Sequence, residues 1–122
     1  MEGKIEDAYR ELNPELRMLL FTVEKVCGLE VGGARVFNEE RKIREVVDAR
    51  YIFMYVSVRY LEYSHGQICD FLKLKWKSSV ANGVARVEEM IRYNVAYRNR
   101  VYNIAVECGV MPLVKHIINI VD

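Results

Sequence analysis

An all-α fold, a bundle of several helices, is predicted by three features of the sequence. Apolar residues recur at spacings of three, four and seven along nearly the whole chain, the period of a helix with one buried face. The only two prolines, Pro14 and Pro112, stand where such stripes begin, and Gly28 and Gly109 stand where two of them end. The composition, 52% hydrophobic and 29% charged over 122 residues, is that of one globular domain and excludes wholesale disorder. No repeat, low-complexity tract or Gly/Ser/Pro-rich linker divides the chain, so residues 1–122 are read as a single helical domain.

The elements follow in order. Asn13-Pro14-Glu15 reads as N-cap, first helical residue and acidic first turn. The helix it opens places Leu16, Leu20, Val23 and Cys27 on one face and stops at Gly28. Gly32-Gly33 reads as loop; it is no phosphate-binding loop, because no strand precedes it and no Lys-Ser/Thr follows. Asn38 can cap a second long helix, whose stripe is Ala49, Ile52, Phe53, Val56 and Tyr60. Its aromatic and β-branched residues between Tyr51 and Val58 would also suit a strand, but the stripe and the charged flanks favour helix.

Ser64 and Gln67 form an S-x-x-Q capping box for a short helix over about 65–72. A turn crowded with Lys73, Lys75 and Lys77 around Trp76 follows, and Ser78 and Ser79 then start the next amphipathic run, one of them as its N-cap. Val80, Val84, Val87, Ile91 and Val95, and further on Tyr102, predict one long helix from about Ser79 to Cys108, ended by Gly109. Pro112 restarts a short additional helix within 110–122, with Leu113, Val114, Ile117, Ile118 and Val121 apolar. So much apolar surface on so short a helix implies packing on the core or on a second copy of the chain, a homodimer.

Charge sets the middle of the chain apart. Residues 41–100 carry twelve Lys/Arg against six Asp/Glu, while residues 1–40 carry five against nine, although the total is only +1. A basic middle between acidic flanks is the asymmetry expected of a polyanion partner, with a solvated charged face as the plain alternative. Cys27, Cys69 and Cys108 are distant from one another, and His65 and His116 are isolated, so no metal centre or disulfide framework is expected. No nucleophile–base or carboxylate pair stands at useful spacing, which predicts no enzyme activity, no cofactor and no small-molecule substrate. The polar N-terminus and the short apolar runs predict a cytoplasmic protein with no membrane partner.

From about Leu20 to Ile104 the order of features resembles the C-terminal DNA-binding domain of the bacterial replication initiator DnaA, a TrpR-like helix-turn-helix. A basic helix, Lys42-Ile43-Arg44 to Arg50, leads into Tyr51-Ile52-Phe53-Met54-Tyr55-Val56. Tyr63-Ser64-His65-Gly66-Gln67-Ile68-Cys69-Asp70-Phe71-Leu72 matches the short helix, and Lys73-Leu74-Lys75-Trp76-Lys77-Ser78-Ser79-Val80 stands where the family opens its recognition helix with G-G-R-D-H-T-T-V. The resemblance implies a DnaA-like core over 20–104 that binds double-stranded DNA. Lys42 and Arg44 would reach minor groove and backbone, and Arg50 the backbone. Lys73, Lys75, Trp76, Lys77, Ser78 and Ser79 would lie at the turn, with Asn82 and Gly83 one turn further along the major-groove face. The paired glycines, the Asp and the His of the family motif are here Lys73-Leu74, Trp76 and Lys77, and Asp48 replaces a basic residue. No Walker-type motif is present, so the expected role is transcriptional regulation or an accessory part in replication, without ATPase activity. The alternative is a protein-interaction or dimerisation module on the same scaffold.

Overall fold

The structure, a computed structural model, describes residues 14–31 and 43–121. These form six helices: α1 (Pro14–Val26), α2 (Arg44–Arg59), α3 (His65–Phe71), α4 (Lys77–Tyr93), α5 (Val95–Cys108) and α6 (Met111–Val121). No strand occurs among the described residues, so the helical reading of Tyr51–Val58 holds and the strand alternative does not. The expected caps Asn13 and Asn38, the Gly32-Gly33 pair and Lys42 lie outside the described residues.

One apolar core draws on all six helices. Leu16, Leu20 and Val23 of α1, with Cys27 just after it, are buried as their spacing requires. Helix α2 is the central element. Ala49, Ile52, Phe53, Met54, Tyr55 and Val56 are all buried, and so is Ser57, whose Oγ donates back to the Phe53 carbonyl at 2.6 Å. A helix with six consecutive buried residues from Ile52 to Ser57 has neighbours on several sides rather than one apolar stripe. Val80, Val84, Val87 and Ile91 bury the inner face of α4.

Helices α2 and α4 approach closely at Gly83. A Cβ there would run into Met54 Sδ and stand 3.0 Å from Cδ1 of the Tyr51 ring. Glycine therefore sets how near the two helices come, and a salt bridge from Arg59 to Glu88 (3.0 Å) ties the end of α2 to α4.

The expected single helix from Ser79 to Cys108 is two helices. The chain leaves helical geometry at Asn94, whose backbone is extended (φ −118°, ψ 109°) and whose Oδ1 accepts the Tyr97 N–H at 2.9 Å. Arg98 closes the other side of the break, donating to the carbonyls of Ile91 (2.6 Å) and Arg92 (2.9 Å), which would otherwise lack partners at the end of α4. Val95, placed on the buried stripe by spacing, is 62% exposed because the break resets the helical phase. Gly109, in the left-handed region (φ 70°), ends α5 as expected. Leu113, Val114 and Ile117 of α6 pack into the core, whereas Ile118 faces solvent. No described helix is long and apolar enough to cross a membrane.

Candidate nucleic-acid interface

The short helix α3 starts as the sequence predicts. Gln67 N–H donates to Ser64 Oγ at 3.0 Å, and Ser64 N–H donates to Gln67 Oε1 at 2.8 Å, the reciprocal capping box. Its end is closed by two backbone hydrogen bonds. Lys73 N–H reaches the Asp70 carbonyl (3.2 Å), and Leu74 N–H reaches the Cys69 carbonyl (2.9 Å). This Schellman closure puts Lys73 in the left-handed region at φ 58°, a conformation that costs an L-residue with a Cβ about 1 kcal/mol or more. The turn is thus held against this strain by its two hydrogen bonds and by Leu72, which anchors it in the core.

From this turn the side chains of Lys73, Lys75, Trp76, Lys77 and Ser78 all emerge into solvent. Trp76 is 62% exposed and its ring stands 5.6 Å from Lys75 Nζ, a cation–π distance. The tryptophan therefore does not serve to cover the core. Lys77 leans back over α3: a methyl at Gly66 would stand 3.3 Å from its Cε and 3.6 Å from its Nζ. The absence of a side chain at Gly66 makes room for that lysine.

Neither Ser78 nor Ser79 caps α4, contrary to expectation. The N-cap is Trp76, which has no side-chain acceptor to offer, and Ser79 N–H turns to the Trp76 carbonyl at 3.1 Å. Trp76 has the extended backbone of an N-cap (φ −130°, ψ 135°), so both serines lie inside the first turn. The first-turn N–H groups of Lys77 and Ser78 have no side-chain cap, which leaves the positive end of a 17-residue helix open toward the lysine-rich surface.

The other expected contact residues divide. Asn82 is exposed one turn on, and Arg44 is exposed at the first residue of α2. Gly83 faces inward against Met54 and Tyr51, so it is a packing residue and not part of an outer face. Arg50 is 8% exposed on the inner side of α2, which removes it from any backbone-contacting role at the surface. Asp48 pairs with Arg100 of α5 at 3.0 Å and not with a neighbour on its own helix, so this acidic residue ties α2 to α5.

The chain matches no protein-family model, no curated protein and no solved structure. The tyrosines and arginines around the α4–α5 break have separate tasks. Tyr93 is 80% exposed, Arg98 closes the α4–α5 break and Arg100 binds Asp48, while Tyr97 is buried with its hydroxyl unpartnered. Periodicity that runs on through Asn94 conceals this division; the Asn94 cap is the sequence signal that marks it.

Proposed function

We propose that the chain binds double-stranded DNA through α3, the lysine turn and the start of α4, with α4 as the helix that enters the groove and the pair acting as a DnaA-like helix-turn-helix. The observation that carries this reading is the exposure of Lys73, Lys75, Trp76, Lys77 and Ser78 around a half-buried Leu74, at an α4 start without a side-chain cap. Three exposed lysines and a helix N-terminus lie within five residues of one another in sequence, a density of positive charge that a phosphate backbone would neutralise. Ser78 and Asn82, one turn apart and both exposed, are of the size and polarity that reach base edges. Trp76 offers an apolar plane for a sugar or a thymine methyl. Asp48, the residue least suited to a DNA surface, is compensated internally by Arg100. In this reading the role is regulation of transcription or assistance in replication.

A mobility-shift titration on random duplex DNA at low salt tests this. Replacing both Lys75 and Lys77 with alanine should weaken binding about tenfold or more and reduce the salt slope by about two phosphate contacts. Unchanged affinity and slope in the double variant would refute the assignment. A second reading, a protein-interaction module, draws on exposed Met18 beside the α5–α6 turn and on exposed Val106, Met111 and Ile118. A chain that self-associates in light scattering and shows no DNA affinity at low salt would favour it.

A further inference from the structure

Two adjoining surface clefts, of about 300 and 390 Å³ and open to solvent, lie where α2 begins, α4 nears its end and α5 begins. Arg44, Asp48 and Tyr97 line both. Arg100 belongs to the first cleft and Arg86 to the second, whose remaining wall is apolar, from Val47, Tyr51 and Met90. Tyr97 is 4% exposed, and its hydroxyl oxygen is buried with no hydrogen-bond partner. A buried polar group left in this state costs free energy that native proteins rarely leave uncompensated. Burial raises the pKa of that hydroxyl above the usual tyrosine range. Asp48 and the buried Cys27 push the same way, while Arg100 and Arg86 oppose them.

Three arginines, Arg44, Arg86 and Arg100, face two carboxylates, Glu45 and Asp48, around the two clefts, so a slight positive excess remains and it lies on the Arg44–Arg86 side. Asp48 is already engaged by Arg100 at 3.0 Å. Arg86 has only an exposed contact with Glu89 at 3.3 Å, and Arg44 has no ion-pair partner among the described residues. The first turns of two long helices, α2 and α5, border the first cleft through Arg44 and Glu45 on one side and Asn94 and Ala96 on the other. The start of α5 is capped by Asn94 Oδ1, whereas Ile43, the N-cap of α2, supplies no side-chain acceptor and Glu45 is the acidic residue of the first turn of α2.

We infer that this is a binding site for a small organic anion, a carboxylate or phosphate group carried on a compact apolar body. The anionic group lies beside Arg44, toward Arg86, and accepts a hydrogen bond from the Tyr97 hydroxyl once a side-chain shift uncovers that buried group. The apolar body rests on Val47, Tyr51 and Met90. The combined space suits a ligand of this size. The site is separate from the lysine turn: Lys77 and Met90, on one helix, are about 20 Å apart along its axis. It does not depend on the DNA-binding reading.

Isothermal titration of the full chain with phenyl phosphate, with inorganic phosphate as control, tests the site. Phenyl phosphate should bind in the micromolar to millimolar range, and more tightly than inorganic phosphate. Arg44→Ala should weaken it about tenfold, and Tyr97→Phe several-fold. Tyr97→Phe should also raise the thermal midpoint of the free protein, because it removes the unpartnered hydroxyl. The Lys75→Ala/Lys77→Ala variant should bind phenyl phosphate as the parent does. No binding up to ~10 mM, a concentration that detects even weak sites, would overturn the inference. So would equal affinity for the two anions, binding indifferent to Arg44→Ala and Tyr97→Phe, or loss of binding in the lysine double variant. Displacement of phenyl phosphate by a short DNA duplex, abolished by Arg44→Ala, would instead assign the anion to a nucleic-acid backbone and overturn the small-molecule site.

Discussion

Helices α1, α3 and α5 end in the same hydrogen-bonded motif, and one of the three differs from the others. In α1, Gly28 N–H meets the Lys25 carbonyl and Leu29 N–H the Glu24 carbonyl; in α5, Gly109 and Val110 repeat the pattern on Val106 and Ala105. In α3, Lys73 and Leu74 do the same on Asp70 and Cys69. Each motif has a left-handed residue followed by an aliphatic one, but the left-handed residue is glycine at φ 78° and 70° and lysine at φ 58°. The scaffold closes its helices without strain, and the candidate DNA-facing turn closes its helix with strain. Glu62, also left-handed (φ 65°), precedes α3 just as Lys73 follows it, so both departures flank the same seven-residue helix. Strain gathered around one element, while its neighbours follow the local rule, sets the turn apart from the scaffold and makes its lysine a point to test.

The contrast is tested most severely in the scaffold. Gly83→Val should cost about 3 kcal/mol, because the added side chain meets Met54 and the Tyr51 ring where α2 and α4 touch, and Met54 is itself fully buried. The better helix propensity of valine would offset only a few tenths of this. Chemical denaturation followed by circular dichroism measures it. A loss near zero would show that α2 and α4 can separate freely, and the scaffold would then be no more rigid than the turn.

The next effect comes from pH. The buried Cys27 thiol, beside the α1–α5 contact, is pushed up to about 11 from its usual 9.0, first by burial and then by Asp48, with Arg100 opposing. An acid whose folded pKa is raised contributes stability that is fully present below pH 9 and is lost as the pH climbs through 11. Over that window stability should fall by about 2 to 3 kcal/mol from Cys27 alone, with buried Tyr55 and Tyr97 acting in the same direction. Denaturation midpoints at pH 8 and pH 10.5, compared between the parent and Cys27→Ala, isolate the term. A parent and a variant with the same pH dependence would disprove it.

Much of the scaffold was legible because it follows local rules. The capping box at Ser64 and Gln67, the ends at Gly28 and Gly109 and the buried stripes of α1 and α2 need only neighbours in sequence to specify them. The α4–α5 break was not legible by period alone, since Val80, Val84, Val87, Ile91 and Val95 keep helical spacing across it, and the Arg98 contacts that close it need the folded chain. For the candidate site, exposure of the lysine turn follows the charge pattern. The inward placement of Gly83 and Arg50 does not, because it depends on where α2 and α4 meet. The clefts around Tyr97 were hidden for the same reason: their arginines come from three helices.

The smallest expected effects bear most directly on the contrast between the turns, and they have opposite signs. Gly109→Ala should destabilise by about 1 kcal/mol, because alanine cannot take a φ of 70° without strain, even though a methyl there would meet open space. Lys73→Gly should stabilise by about 1 kcal/mol, since the same motif then has its preferred residue, less some extra entropy in the unfolded chain. The same Lys73→Gly change removes one of the three ammonium groups of the turn, and duplex DNA affinity should fall even as the thermal midpoint rises. Gain of stability and loss of DNA affinity in one variant would identify Lys73 as a residue kept for its charge against its backbone preference. A Lys73→Gly variant that is more stable and binds DNA equally well would leave the strained turn with no functional explanation, and the exposed lysines with no more than a solvent-facing role.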